Sequence, residues 1–221
     1  MMDFKIDTNF YTVSQVRHLT EHAFVVQVPR RNFKFTAGQH LVLGMKDDYH
    51  TREYSIYSGE NEEVLEVLVK EVEEGYLSPR LKQVKEGDSL EIHGPFGHFG
   101  IEEKKRDTHK HVFIASGSGI APFRSMVKTY PELDYQLIHG VRTIDEGYER
   151  ENYSTDRYVL CTSRDDNGDF KGRVTAYLHE QEFDKNTQFY LCGNSQMIFD
   201  VLELLKNKGF GRDSVSAEVY F

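Results

Sequence analysis

The stretch Ile114-Ala115-Ser116-Gly117-Ser118-Gly119-Ile120-Ala121-Pro122-Phe123 decides the fold. An apolar run, His111–Ala115, leads into a glycine turn, and Pro122 suits the first turn of a following helix. Glycines let a backbone approach a diphosphate, and the start of a helix exposes N–H donors. Pro122 stands where the GxGxxG fingerprint has its last glycine, so this is not the usual dinucleotide motif. The pattern favours a phosphate-binding strand–turn–helix unit over a purely structural turn.

The same rhythm of strand, turn and helix continues after this stretch. The predicted strands are the compact apolar runs His111–Ala115, Tyr135–His139, Tyr158–Cys161 and Phe189–Leu191. The predicted helices between them are Ala121–Lys128, Val174–Glu180 and Gln196–Lys208. Such alternation is typical of a parallel sheet covered on both faces. Residues 111–221 are therefore predicted to form an α/β parallel-sheet nucleotide-binding domain with an aromatic tail.

Before residue 101 the sequence pattern is different, because short strand-like runs are separated by turn residues. The predicted strands are Phe10–His18, Ala23–Val28, Gln39–Leu43, Val64–Val69 and Ser89–Ile92. One helix, Ser78–Val84, interrupts them. Several strands with a lone helix favour a small antiparallel barrel over residues 1–103. The charged segment 104–110 is predicted to be a linker.

Composition excludes several classes of protein. The 221 residues carry 27 Lys and Arg against 36 Asp and Glu, a net charge of −9, which argues against nucleic-acid binding. No apolar run is long enough to span a membrane, and the first residues show no secretory signal. Cys161 and Cys192 form no disulfide framework and suit a reducing cytoplasm. No metal site is predicted.

Arg52-Glu53-Tyr54-Ser55 is the first candidate site. In a strand Arg52 and Tyr54 share one face, while Glu53 and Ser55 point the other way. A cation beside a flat aromatic can hold a phosphate and a ring of one ligand. An ordinary half-buried strand explains the motif as well.

Gly75-Tyr76-Leu77-Ser78-Pro79-Arg80 is the second candidate. Ser78 is a good N-cap and Pro79 suits the first helical position. The free N–H groups at a helix start make an anion site. A capped helix without a ligand is the simpler interpretation.

The remaining candidates follow predicted strands of the second half. Tyr190-Leu191-Cys192-Gly193-Asn194 ends a strand where α/β proteins bind ligands, although a lone cysteine is usually a buried apolar residue. Ser163-Arg164 and Arg173 also follow strands, and two guanidiniums can clamp a phosphate, unless they are simply solvated. The tail Ala217–Phe221 is predicted to be an edge strand.

Together and in this order, the motifs resemble the ferredoxin–NADP(+) reductase family, especially its compact bacterial members. The likeness extends over nearly the whole chain and includes His93-Gly94-Pro95-Phe96-Gly97. It implies a two-domain protein, with an FAD-binding antiparallel Greek-key β-barrel followed by an NADP-binding α/β domain.

The resemblance implies roles on both cofactors. Toward FAD it implies Arg52 on the diphosphate, Tyr54 flat on the isoalloxazine, Ser55 near its N5, Glu53 within the same motif, Gly75, Tyr76, Leu77 and Ser78 on the diphosphate, and Lys70 assisting there. Toward NADP(H) it implies Gly117, Ser118, Gly119 and Pro122 at the diphosphate, Ser163, Arg164, Arg173 and Arg142 at the 2′-phosphate, and Cys192 and Gly193 at the nicotinamide. Glu218 matches an acidic position near the nicotinamide, and Tyr220 or Phe221 covers the flavin.

The implied reaction is hydride transfer from NADPH to FAD, with Ser55, Cys192, Glu218 and Tyr220 at the reacting rings. Ferredoxin or flavodoxin is the implied partner, although a chain of net charge −9 then needs a local basic patch. Two alternatives stay open: a reductase of free flavin, ferric chelate or an oxygenase component, and a non-catalytic FAD-binding redox module.

Overall fold

The computed structural model describes residues 9–220, which form two antiparallel sheets followed by a parallel sheet with helices. The elements of the first half are β1 Phe10–Thr12, β2 Gln15–His18, β3 Ala23–Pro29, β4 His40–Met45, β5 Thr51–Ser55, β6 Val64–Lys70, α1 Ser78–Leu81, β7 Ser89–Phe96 and α2 Glu103–Arg106. Those of the second are β8 Lys110–Ser116, α3 Ala121–Thr129, β9 Tyr135–Val141, β10 Tyr158–Thr162, β11 Phe170–Lys171, α4 Val174–Glu180, β12 Thr187–Asn194, α5 Ser195–Asn207 and β13 Val215–Tyr220.

The first half is a pair of antiparallel sheets around one core. Their strand orders are β1-β7-β4-β5 and β2-β3-β6, and a bridge from Ile56 to Val67 joins the end of β5 to β6. Phe24 from one sheet and Leu41 and Leu90 from the other meet in this core. Burial of such apolar side chains is the main force that closes the sheets on each other.

The second half is a parallel sheet of order β11-β10-β9-β8-β12-β13. Apolar side chains of its strands are buried on both faces, as Val112 and Phe113 on neighbouring positions of β8 illustrate. Because all strands run the same way, their carboxyl ends meet at one edge, where ligands of α/β proteins bind. The predicted two-part fold class is therefore confirmed.

Some predicted elements were wrong in their limits. The single strand predicted over Phe10–His18 is two strands, because the chain passes from one sheet to the other between Thr12 and Gln15. Helix α1 ends at Leu81 rather than Val84, and part of the predicted linker 104–110 is helical in α2. The limits of the two domains stay a prediction.

The two halves share a core as well as a chain. Tyr57 and Leu68 of the first half belong to the same buried cluster as Phe123 and Met126 of α3. This contact fixes the first half against one face of the parallel sheet.

Beside that core lies a cluster of four charges, Arg17, Glu66, Arg124 and Glu149, which we call the ionic cluster. Arg17 binds Glu66 at 2.6 Å and Glu149 at 2.9 Å, and Arg124 lies 3.1 Å from each of the same two carboxylates. The side chains of Arg124 and Glu66 are only 7% and 6% exposed. Although burial opposes it, the two guanidiniums hold the pKa of Glu149 below its ordinary value. The cluster joins β2 and β6 to α3 and the loop after β9.

Candidate active site

Three residues that were predicted from distant motifs meet where the end of β5 faces the end of β13. The Tyr220 hydroxyl donates a hydrogen bond to Ser55 Oγ at 2.6 Å, and Ser55 Oγ donates to Glu218 Oε2 at 3.2 Å. We call Ser55, Glu218 and Tyr220 the hydroxyl seam. Burial raises the pKa of Glu218, opposed by its bond from Ser55, so its carboxyl holds a proton more readily than an exposed one.

Cys192 lies directly behind the seam. It pairs with Glu218 in the register of β12 and β13, and it is fully buried. Burial, with the Glu218 charge nearby, raises the pKa of the thiol well above its ordinary value. The thiol therefore stays protonated, and its place is that of a small packing group behind Tyr220 rather than a nucleophile.

The motif 52–55 forms strand β5, as predicted. Tyr54 packs against the core of the first half, and burial raises its pKa to about 12. Arg52 is exposed at the sheet edge, where its guanidinium donates to Thr51 O at 2.8 Å. Glu53 points away from these two and is 74% exposed. The Tyr54 ring and the exposed Arg52 guanidinium therefore lie on the strand that ends at Ser55 of the hydroxyl seam.

The segment 75–78 differs from the prediction in one respect. Ser78 is the first residue of α1, not its N-cap, and its buried hydroxyl accepts a hydrogen bond from Val72 N at 2.9 Å. The cap position belongs to Leu77, whose side chain cannot cap a helix. The serine hydroxyl closes the loop that precedes the helix, because Val72 N–H lies within its reach.

Tyr76 presents a second aromatic surface beside this segment. Its ring stacks on His50 at 3.8 Å between centroids, and the Arg80 guanidinium lies 3.7 Å from the ring centre. Gly75 N–H is bonded to Val72 O, while the first bonds within the helix come from Arg80 and Leu81. The N–H groups between these positions are the orphan donors that a helix start offers to an anion.

A cavity of about 520 Å³ opens at the carboxyl ends of the parallel strands. Of the predicted site residues, those that line it are Lys70, Gly117, Ser118, Arg142, Ser163, Arg173, Gly193 and Tyr220. Its volume lies in the range of small-molecule and cofactor sites. The cavity and the hydroxyl seam share Tyr220, so the tail separates one from the other.

Lys70 was expected to assist at the segment 75–78, but it lies elsewhere. Its ammonium binds Glu146 at 2.9 Å and faces the glycine turn, 4.0 Å from where a Cβ on Gly117 would be. Strand β6 runs toward the parallel sheet and carries this cation into the cavity of the second half. Glu146 Oε2 also accepts from the backbone N–H of Arg142 at 2.8 Å, so one carboxylate binds the Lys70 ammonium and ties down the backbone that carries Arg142.

The glycine turn is a short 3₁₀ helix, Gly117–Ile120, that leads into α3. A Cβ on Gly119 would fall 2.3 Å from the carbonyl oxygen of Cys192. Gly119 therefore allows close packing of the turn on β12, and Pro122 is buried in the first turn of α3. These two residues support the cavity without lining it.

The predicted phosphate clamp consists of exposed side chains on two neighbouring loops and at the start of α4. Ser163 Oγ donates to Val141 O at 3.2 Å, and Arg164 N donates to Arg142 O at 2.9 Å, so the loops after β9 and β10 are tied together. Arg173 precedes α4 at the same edge. Arg164 does not line the cavity, and Phe221 lies outside the described residues.

The sequence did not indicate His139, which binds the backbone of the glycine turn through Gly117 O. The imidazole is fully buried, with Nε2 2.8 Å from Gly117 O and Nδ1 2.8 Å from the Tyr158 hydroxyl. Burial lowers its pKa to about 4, so the neutral ring donates to the carbonyl and accepts from the tyrosine. It sits within a strand-like run, and no local signal separates it from a core residue.

The capping role of Asn194, and His40 as a whole, were missed as well. Asn194 caps α5 by accepting hydrogen bonds from Gln196 N and Met197 N, which its position before the helix could have indicated. His40 lies beside Glu218, a contact between strands far apart in sequence. Among residues 9–220 no group of three or more His, Cys, Asp or Glu is placed to hold a metal ion. Within the same range no helix is both long and apolar enough to cross a membrane.

The residues fit a flavin nucleotide and a dinucleotide. A half-buried tyrosine ring beside an exposed arginine suits a flat ring with a diphosphate, and orphan N–H groups at α1 suit an anion. The cavity with its glycine turn, lysine and arginines suits a second phosphorylated ligand that reaches Tyr220.

Comparisons with known proteins agree with this fit. Residues 12–101 match the family model of the oxidoreductase FAD-binding domain, and residues 113–203 match that of the oxidoreductase NAD-binding domain. The chain is 28% identical over 212 residues to a flavodoxin/ferredoxin–NADP reductase of Shigella flexneri, covering 85% of this chain and 86% of that protein. It is 36% identical over 209 residues to a terephthalate 1,2-dioxygenase reductase component 1 of Comamonas sp., covering 85% and 60%.

A solved structure has the same fold. A ferredoxin NADP+ reductase from Neisseria gonorrhoeae with bound FAD and NADP superposes with a TM-score of 0.85 at 24% identity, covering 96% of this chain and 98% of that one. Several curated relatives are longer, and the chain spans between 57% and 63% of their length.

Fold, site and family models together define an oxidoreductase that binds FAD and a nicotinamide dinucleotide. The chain belongs to the ferredoxin–NADP(+) reductase family.

Proposed function

We propose that this protein passes electrons between NADPH and a one-electron carrier, with FAD bound in the first half. The observation that carries the proposal is the shared position of Tyr220, which belongs both to the hydroxyl seam and to the dinucleotide cavity. A ring that enters from the cavity and displaces Tyr220 arrives beside Ser55 and Tyr54. Bringing two rings together is the orientation effect on which hydride transfer depends.

When bound, FAD accepts a hydride and releases electrons singly. The chain's own residues do the rest. Tyr54 supports one ring face from the barrel core, and Arg52 and the N–H groups at α1 hold phosphates. Tyr220 excludes water from the seam until it is displaced.

The preference for NADPH over NADH is proposed from the exposed cations at the cavity edge. Arg142 and Arg173 line the cavity, and Arg164 stands on the next loop. Guanidiniums bind a phosphate dianion bidentately, and NADH lacks that group. Ser163 supplies a hydroxyl at the same edge.

Acidic ferredoxin or flavodoxin is the proposed carrier, and an oxygenase component is the second candidate. Two observations support the oxygenase component: relatives such as the terephthalate dioxygenase reductase, and the net charge of −9, which does not attract an acidic carrier. One basic residue near the short helix, Lys82, is already paired with Glu71 at 2.6 Å, which weakens a basic docking patch there. Both cysteines are free and buried, which supports a place in the reducing cytoplasm.

Anaerobic titration of the yellow protein with NADPH and NADH in parallel tests the proposal. We expect NADPH to bleach the flavin at lower concentration than NADH. If neither NADPH nor NADH bleaches the flavin, the proposal is wrong and the interpretation as a non-catalytic flavin-binding module remains. Parallel turnover with ferredoxin, flavodoxin, free flavin, ferric chelate and an oxygenase component would then identify the acceptor class.

A further inference from the structure

His40 belongs to the active-site face of the barrel. It lies opposite Ser55 in the register of β4 and β5, and opposite Phe96 in that of β4 and β7. Side chains at paired positions share one face, so His40 and Ser55 point to the same side. Gly97 makes room for the imidazole, because a Cβ there would lie 2.8 Å from His40 Nδ1.

Each nitrogen of this imidazole faces a different carboxylate. His40 Nδ1 lies 3.7 Å from Glu218 Oε1, and Nε2 lies 3.9 Å from Glu53 Oε2. The side chains of His40 and Glu218 are 18% and 21% exposed, whereas Glu53 is 74% exposed. Both distances are beyond hydrogen-bond length, so a transfer of a proton across either one requires the side chains to rotate toward each other.

The result is a line of proton-carrying groups from the seam to solvent. It starts at the hydroxyls of Tyr220 and Ser55, which are hydrogen-bonded to each other and onward to Glu218 Oε2. The other oxygen of Glu218 faces His40, and the far side of His40 faces exposed Glu53. Within residues 9–220 the two carboxylates are the charged groups that face the ring, and β7 with the residue after it contributes Phe96 and Gly97.

The proposed function creates a need for such a line. A hydride carries two electrons and one proton, so oxidation of one NADPH yields NADP+, one proton and two electrons. A carrier that takes the electrons one at a time leaves the proton at the reacting ring edge beside Ser55. That proton must reach solvent once for every two electrons delivered.

Resting on that function, we propose that His40 passes this proton between Glu218 and the solvent at Glu53. His40 acts through Glu218 and does not touch the reacting rings. An imidazole suits the task because one nitrogen can accept a proton while the other releases one. Ser55 takes up the proton left at the ring edge as it gives its own hydroxyl proton to Glu218. Glu218 then gives its proton to His40 Nδ1, and His40 releases the proton on Nε2 to the solvent at Glu53, so that each group returns to its starting state.

The test separates proton release from hydride transfer. The flavin of the holoprotein is reduced with one equivalent of dithionite and mixed with ferricyanide, a one-electron oxidant, in weak buffer with a pH indicator. His40→Gln, His40→Ala and the wild type are compared, with exposed His179→Gln as the matched control. Flavin bleaching by NADPH is measured on the same samples.

We expect His40→Gln to slow proton release by about 10- to 100-fold and His179→Gln to leave it unchanged. Added imidazole should restore release in His40→Ala, an effect that a structural role would not produce. Bleaching by NADPH should stay within about twofold of the wild type, because the hydride does not pass through His40.

A measurement without turnover checks the pairing. Urea midpoints of the wild type, His40→Gln, Glu218→Gln and the double variant should be non-additive, because His40 Nδ1 lies only 3.7 Å from Glu218 Oε1. Proton release at the wild-type rate in His40→Gln, or no rescue by imidazole, would overturn the relay. Failure of NADPH to bleach the wild type would instead overturn the proposed function, while the dithionite-loaded protein still reports on His40.

Discussion

Deep between the halves of the molecule, Arg17 and Glu66 of the barrel bind Arg124 and Glu149 across the interface. At the edge of the same interface, the halves meet through Ser55 and the residues of the tail. The ionic cluster consists of four charges joined at 2.6–3.1 Å, of which Arg124, Glu66 and Glu149 are largely buried and Arg17 is partly exposed, and the hydroxyl seam consists of hydroxyls and one carboxyl. Removing one partner of a buried ion pair leaves an uncompensated charge, whereas a neutral hydrogen bond contributes about 1 kcal/mol.

This difference separates a fixed contact from one that can open. The ionic cluster holds the loop after β9, whose Glu146 binds Lys70 in the cavity wall. The cavity therefore keeps its position relative to the barrel. Tyr220 is held by a bond that a ligand can replace at little cost, so the tail can leave the seam without disturbing the interface.

The largest effect is expected for Arg124→Met in the ionic cluster. Glu66 and Glu149 would lose one of their two guanidiniums in a buried place, at a cost of about 3–5 kcal/mol in the free energy of unfolding. Urea denaturation measures the loss. Lys171→Met removes an exposed partner of Asp166 and should leave stability nearly unchanged. Equal losses in both variants would remove the distinction between the cluster and the surface.

Gly119→Ala should disturb the packing of the glycine turn on β12, behind the hydroxyl seam. The added methyl would collide with the Cys192 carbonyl and push β12, which backs Tyr220, out of place. We expect a loss of about 1–3 kcal/mol in stability, with weaker NADPH binding in a titration. Gly211→Ala is the control, because nothing lies within 4 Å of its Cβ position. A Gly119→Ala variant as stable as the control would contradict this close approach.

Tyr220→Phe tests how weakly the tail is held. It removes the 2.6 Å bond to Ser55, and we expect a loss of about 0.5–1.5 kcal/mol in stability. Easier displacement of the tail should lower the KM for NADPH by up to about fivefold. Tyr49→Phe, at a fully exposed tyrosine, should change neither quantity. A raised KM would show that the Tyr220 hydroxyl serves the dinucleotide instead of opposing it.

The smallest effect is expected in how the free energy of unfolding changes with pH, through Glu218 of the hydroxyl seam. Because burial raises the pKa of Glu218 above 4.5, its contribution to stability is present at low pH and is lost as the pH rises through the folded-state pKa. Glu218→Gln cannot ionise, so stability should fall less with rising pH than in the wild type. Urea midpoints over the mildly acidic to neutral range measure the two slopes. Parallel slopes would mean that Glu218 does not titrate in this way.

Local sequence determined much of the fold. Compact apolar runs separated by turn residues predicted the strands and helices of the second half within a few residues, apart from the two-residue strand β11, because a parallel sheet buries its strands on both faces. The glycine turn and the motif 52–55 were found because their residue types are unusual in combination. The family followed from the order of these motifs along the chain.

Only the tertiary structure decided which groups meet. Ser55 and Glu218 are 163 residues apart, and Arg17 and Glu149 are 132 apart, so no periodicity reports either contact. Lys70 reached the dinucleotide cavity because β6 runs toward the parallel sheet. Ser78 stands inside the first turn of α1 and not before it, and its hydroxyl accepts from Val72 N and closes the preceding loop. The sequence determines the chemistry of each side chain directly. The partner of that side chain depends on how the sheets pack, and the packing depends on all residues of the core together.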